Sequence, residues 1–112
     1  MNLLEGRVQG GTTEVCGARL PVPEAFDFQD GQRITYGIRP EHLRVGEGGI
    51  SGVVAVVEPT GSETHVVVRA GKRDVVAVFR ERVGFRPGNT LSLVPEVGSV
   101  HVFDADSGQR LG

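Results

Sequence analysis

Tryptophan is absent, and cysteine, tyrosine and methionine occur once each. A lone cysteine, Cys16, has no partner for an internal disulfide and cannot build a multi-thiolate metal site. Basic residues give no excess: the formal net charge is −2 and the pI about 5.9. The strong basic footprint that carries nucleic-acid binding is therefore lacking. No apolar run approaches the roughly 18 residues of a membrane-crossing helix. The stretch from Met1 to Gly6 lacks the charged-then-apolar profile of a secretory signal. The expectation is a chain compatible with a reducing cytoplasm and not inserted into a membrane.

Chemical motifs are also scarce. A phosphate-cradling loop needs a glycine five residues before a Gly-Lys pair and a hydroxyl residue after it. The one such pair, Gly71-Lys72, is followed by Arg73 and has no glycine at the earlier place. His42, His65 and His101 match no common metal spacing and read as surface or loop residues. Ser62 lies in Gly61-Ser62-Glu63 without a nucleophile elbow, and Cys16 reads as a packed or half-exposed thiol in a strand. Pairs of acids such as Glu58 with Glu63, or Asp104 with Asp106, read as solvated turn residues. No catalytic, cofactor or metal residue is expected in this chain.

What is present is valine, the commonest residue, and 17 glycines within 112 residues. Valine fits a pleated surface and glycine supplies tight turns, so many short strands are expected in one domain. About eight are legible: Leu3 to Gln9, Thr13 to Cys16, Ala18 to Val22, Arg33 to Ile38, Val53 to Val57, Thr64 to Arg69, Asp74 to Phe79 and Thr90 to Val94, with Val100 to Phe103 closing the chain. Ile34, Tyr36 and Ile38 share one face of their strand. Gly46 to Gly49 reads as a flexible turn, and Val53 to Val57 as a strand buried on both faces. Glu24 to Gln29 reads as a loop with one helical turn, and Pro40 to Leu43 as a single helical turn started by proline. The expected fold is all-β: a small Greek-key barrel of the OB type, with an appended N-terminal hairpin or second small β lobe. Residues 1–30 form the hairpin segment in this reading, 31–104 the barrel core and 105–112 a tail.

Two segments stand out from this background. Each ends a strand in a charged, proline-bearing turn, where a rigid scaffold presents contact groups. One is Tyr36-Gly37-Ile38-Arg39-Pro40-Glu41-His42-Leu43, the other Val57-Glu58-Pro59-Thr60-Gly61-Ser62-Glu63-Thr64. The bland alternative is a pair of self-satisfied turns, with Glu41 or Glu58 paired to Arg39.

These segments resemble the two signatures of the C-terminal regulatory domain, called TOBE for transport-associated OB, of maltose- and glycerol-3-phosphate-type importer ATP-binding subunits. Met1-Asn2-Leu3-Leu4 resembles the join after the ATPase domain, and Leu91–Leu93 with Val100–Asp104 and Gly108 the closing strands. The resemblance runs in order over nearly the whole chain. It implies a regulatory and dimerising module, not itself an enzyme, on the cytoplasmic side of the cell membrane. ATP and Mg²⁺ would belong to an ATPase domain that this sequence does not include. Implied partners are a second copy, the permease subunits through that ATPase domain, and a regulatory protein. Carried over by motif, Arg39, Pro40 and Glu41 on one turn, and Glu58, Gly61, Ser62 and Glu63 on the other, are candidate subunit or partner contacts. The family often has an aromatic where Leu3 stands, so no contact is carried over there. Two other readings compete: a barrel sensing a small oxyanion or sugar, and a nucleic-acid-binding OB module. The few aromatics and acidic pI oppose the second.

Overall fold

The computed structural model describes residues 1–10, 12–22, 28–81 and 83–112. The helical turn expected within Glu24 to Gln29 falls mainly outside them. Nine strands follow in order: β1 (Asn2–Gln9), β2 (Thr12–Val15), β3 (Ala18–Leu20), β4 (Arg33–Ile38), β5 (Leu43–Thr60), β6 (Glu63–Ala70), β7 (Arg73–Phe79), β8 (Thr90–Pro95) and β9 (His101–Asp104). They form a five-stranded sheet ordered β3-β2-β1-β4-β9 and a four-stranded sheet ordered β7-β6-β5-β8. All neighbours are antiparallel.

Alternation built these strands. In β4, Ile34, Tyr36 and Ile38 are fully buried while Arg33 is exposed. Val66 and Val68 on β6 meet Ala77 and Val75 on β7 across the same inner face. Burying a side chain of this size is worth about 1.5–3 kcal/mol, so the shared interior is the main stabilising term. The Tyr36 hydroxyl donates to Pro21 O at 2.7 Å, which ties the segment after β3 to the core. Burial pushes that hydroxyl's pKa far above the ordinary tyrosine value.

Three expectations need correction. Gly46 to Gly49 is not a turn: β5 runs unbroken for 18 residues, and only its register against β8 shifts, between Val45 and Ile50. Val45 and Ile50 both stand opposite Leu93, so Gly46 to Gly49 are extra residues bulged out of the ladder, with Gly48 at φ +79. An ideal Cβ on Gly49 would lie 2.0 Å from Leu93 O. Nor is the valine run buried on both faces. Val53 and Val56 are each 47% exposed, because one face of this sheet looks outward and a bulge between Val54 and Val56 throws Ala55 out as well. Cys16 is not within a strand either; it sits in the β2–β3 turn at φ +50, half-buried beside Gly17. His65 and His101 do reach the surface as expected, partly exposed on β6 and β9 rather than in loops.

A buried side chain of β1 joins the edge of β7 in the other sheet. Asn2, only 8% exposed, donates from Nδ2 to Val76 O at 2.8 Å and accepts from Val76 N–H at 2.9 Å. The same Nδ2 reaches Ile38 O at 3.2 Å. The Asn2 amide thus takes the place of a neighbouring strand on the outer edge of β7. Arg73 and Glu5 form an ion pair farther along the same seam at 3.0 Å.

Candidate partner-contact site

The first charged turn is set by proline. Pro40 fixes its own φ and pushes Arg39 to an extended conformation, φ −74 and ψ 146. A 3-10 turn over Pro40–His42 follows, with His42 N–H donating to Arg39 O at 2.9 Å. His42 O accepts from Glu96 N–H at 2.9 Å, which anchors the turn to the segment after β8. Arg39 and Glu41 are exposed and Pro40 is half-buried. The turn packs against β7 and leaves a groove of about 510 Å³ lined by Glu41, His42, Arg44, Phe79, Arg80 and Glu81, among others. His42 Nδ1 is buried at its base without a hydrogen-bond partner among the described residues.

Glu41 is held as a carboxylate. Its own backbone N–H lowers its pKa most, and the positive groups of His42, Arg39 and Arg80 add to this. In a carbon-detected NMR titration, the Glu41 carboxyl is expected to change below the ordinary value of 4.5. A depressed folded-state pKa means that the stabilising share is present above the ordinary value and fades as pH falls through the folded one. A midpoint at or above 4.5 would contradict this electrostatic picture.

The second turn is the tip of the β5–β6 hairpin. Thr60 and Glu63 are its last pair, and exposed Gly61 and Ser62 make the connection, with Gly61 at φ +58. The Thr60 hydroxyl donates to Glu63 O at 3.3 Å. Glu58 is exposed opposite His65, and Glu63 Oε1 lies 3.8 Å from His65 Nε2. Ion pairs among the described residues are Arg33–Asp106, His65–Glu63, Arg69–Asp74 and Arg73–Glu5. None joins Glu41 or Glu58 to Arg39.

Phe79 of β7 pairs with Thr64, so the hairpin tip and the end of β7 share one rim of the four-stranded sheet. The Pro40 turn packs on the same end of β7. The structure therefore brings Arg39, Pro40 and Glu41 to the rim that also bears Gly61, Ser62 and Glu63, with Phe79 to Glu81 between. Glu58 stands farther down the outer face. Sequence reasoning missed Arg80 and Glu81. Their only signal was a charged pair directly after an alternating strand, and nothing local said that this strand would end beside the Pro40 turn. A larger hollow, about 820 Å³, lies elsewhere, between Arg7, Gln32, Arg33 and Asp106, where Arg33 is already paired with Asp106. Among the described residues, no group of three His, Cys, Asp or Glu side chains is placed to hold a metal ion.

Residues 36–103, which include both charged turns, match the TOBE domain. The chain belongs to the TOBE domain family. Residues 2–45 of this TOBE chain also match the CysA C-terminal regulatory domain. An uncharacterized ABC transporter ATP-binding protein of Sinorhizobium fredii is 50% identical over 95 residues, 85% of this chain and 26% of that protein. The sn-glycerol-3-phosphate import ATP-binding protein UgpC of Escherichia coli K12 is 32% identical over 117 aligned positions, 99% of this chain and 33% of UgpC. The chain thus spans about a quarter to a third of the length of these curated relatives. The cytoplasmic molybdate-binding protein ModG, solved with molybdate bound, superimposes with a TM-score of 0.69 at 14% identity, over 90% of this chain and 94% of that one. That likeness concerns the fold alone, and it agrees with the OB-like reading of this TOBE domain.

Proposed function

We propose that this TOBE domain is the regulatory and dimerising module of the ATP-binding subunit of an ABC-type importer for a sugar or a glycerol-phosphate-like solute. The observation that carries the reading is the placement of both charged turns on one rim, inside the segment that defines the family. Fixed turns on a rigid sheet suit repeated docking better than a flexible loop does. In this reading Arg39, Pro40, Glu41, Gly61, Ser62 and Glu63 meet a second copy or a regulatory protein, and Glu58 flanks them. ATP and Mg²⁺ are handled by an ATPase domain outside this sequence, and that domain carries the contact with the permease at the inner face of the membrane. The module itself regulates and performs no chemistry.

The test uses the intact ATP-binding subunit that contains this sequence. Glu41→Lys with Ser62→Arg, both exposed, should weaken subunit pairing in sedimentation or abolish the response of transport to its regulator, while nucleotide affinity stays unchanged. Unchanged pairing together with unchanged regulation in the double variant would reject the rim as the contact.

A further inference from the structure

Backbone groups alternate along a strand, so those of His101 and Phe103 face β4 while those of Val102 and Asp104 face outward. That outer edge is covered by the chain itself. Val102 N–H donates to Gly112 O at 2.8 Å, and Val102 O accepts from Leu111 N–H at 2.7 Å. Asp104 N–H donates to Gln109 O, and Asp104 O accepts from Gly108 N–H, both at 2.8 Å. Side chains fasten this strap. Leu111 packs against the core, Arg110 Nη2 lies 2.9 Å from His101 Nδ1, and the Asp104 carboxylate accepts from Ser107 N–H at 2.9 Å and from Gln32 Nε2 at 3.1 Å.

The bare edge would be self-complementary. Consider two β9 strands placed antiparallel about a two-fold axis through Phe103. Val102 of one copy then stands opposite Asp104 of the other, and each such pair exchanges two N–H···O bonds. All four outward backbone groups on each strand are satisfied, and the two half-buried Phe103 side chains face each other at the axis. The product is one continuous sheet from two five-stranded ones. We propose that residues 105–112 are an edge guard, which fills in cis a pairing site whose other occupant is β9 of a second copy. This does not depend on the transporter reading, since the rim turns lie on the other sheet or beside it.

The experiment is Leu111→Pro, which deletes the shorter of the two N–H···O bonds to Val102 O, the other coming from Gly112 N–H at 3.3 Å, and disrupts the strap while leaving the two sheets intact. At low concentration the Val102 and Asp104 amides should exchange with solvent about tenfold faster or more. At high concentration a dimer should form in sedimentation, with those amides protected again. Asp104→Pro added to Leu111→Pro removes an edge donor and should return the protein to the association state of the unmutated chain, since an outer-edge proline is tolerated in a strand. If Leu111→Pro does not fold, a chain ending at Ser107 reads the same quantities. A monomer with fast-exchanging amides at every concentration would overturn the proposal. So would amides that stay protected at low concentration, or association beyond that of the unmutated chain that survives Asp104→Pro.

Discussion

Replacing Asn2 with alanine is expected to destabilise the protein by about 2–4 kcal/mol, the sum for two partly buried backbone groups left without partners. Val76 N–H and Val76 O both rely on the Asn2 amide, and among the described residues they have no other hydrogen-bond partner across the seam. Water reaches the site poorly, because Asn2 is 8% exposed and Val76 half-buried. The loss therefore includes the cost of desolvation as well as that of the bonds themselves. Asn2→Asp gives a graded check. An aspartate still accepts from Val76 N–H but turns its second oxygen on Val76 O, so it should fall no better than midway. Urea unfolding of the three proteins measures this. An alanine variant within about 0.5 kcal/mol of the parent, the range of an ordinary surface change, would show that the seam does not depend on Asn2.

Gly49→Ala should cost about 3 kcal/mol or more, at the upper end for overpacking. The added Cβ would fall 2.0 Å from Leu93 O and 3.0 Å from Val94 Cγ2. A backbone carbonyl cannot rotate aside as a side chain does, so β5 and β8 must separate locally. Gly49 N–H also donates to Ser92 Oγ at 3.0 Å, and that bond would stretch. Gly98→Ala is the matched control: nothing lies within 4 Å of its Cβ position, and its stability should change by no more than about 0.5 kcal/mol. Equal effects at both positions would mean that the close approach at Gly49 is not what holds the register.

Much of this architecture could be read locally. The alternation Ile34, Tyr36, Ile38 named the inner face of β4 because side chains point to opposite sides at every step. Pro40 beside Glu41 announced the 3-10 turn, since proline restricts two residues at once. Gly46 to Gly49 misled for a physical reason. A glycine that permits a turn and one that permits another backbone to approach lack the same Cβ, and only the neighbour distinguishes them. Val53 to Val57 misled in a related way, because an apolar run does not reveal whether a second layer covers its outer face.

The contact site divides along the same line. Which turns carry charge was written in residues 36–43 and 57–64. That they share a rim depends on β7, which lies between them in space and after both in the chain. What the sequence alone determined was most of the strands, the inward residues of those that alternate, such as β4, and the two charged turns, because these follow from side-chain alternation and proline sterics within a few neighbours. What only the tertiary structure decided was the closure at Asn2, the groove with Arg80 and Glu81, and the strap over β9. Each of those joins backbone or charged groups far apart in the chain, and no local pattern encodes which distant edge a free N–H or C=O will meet.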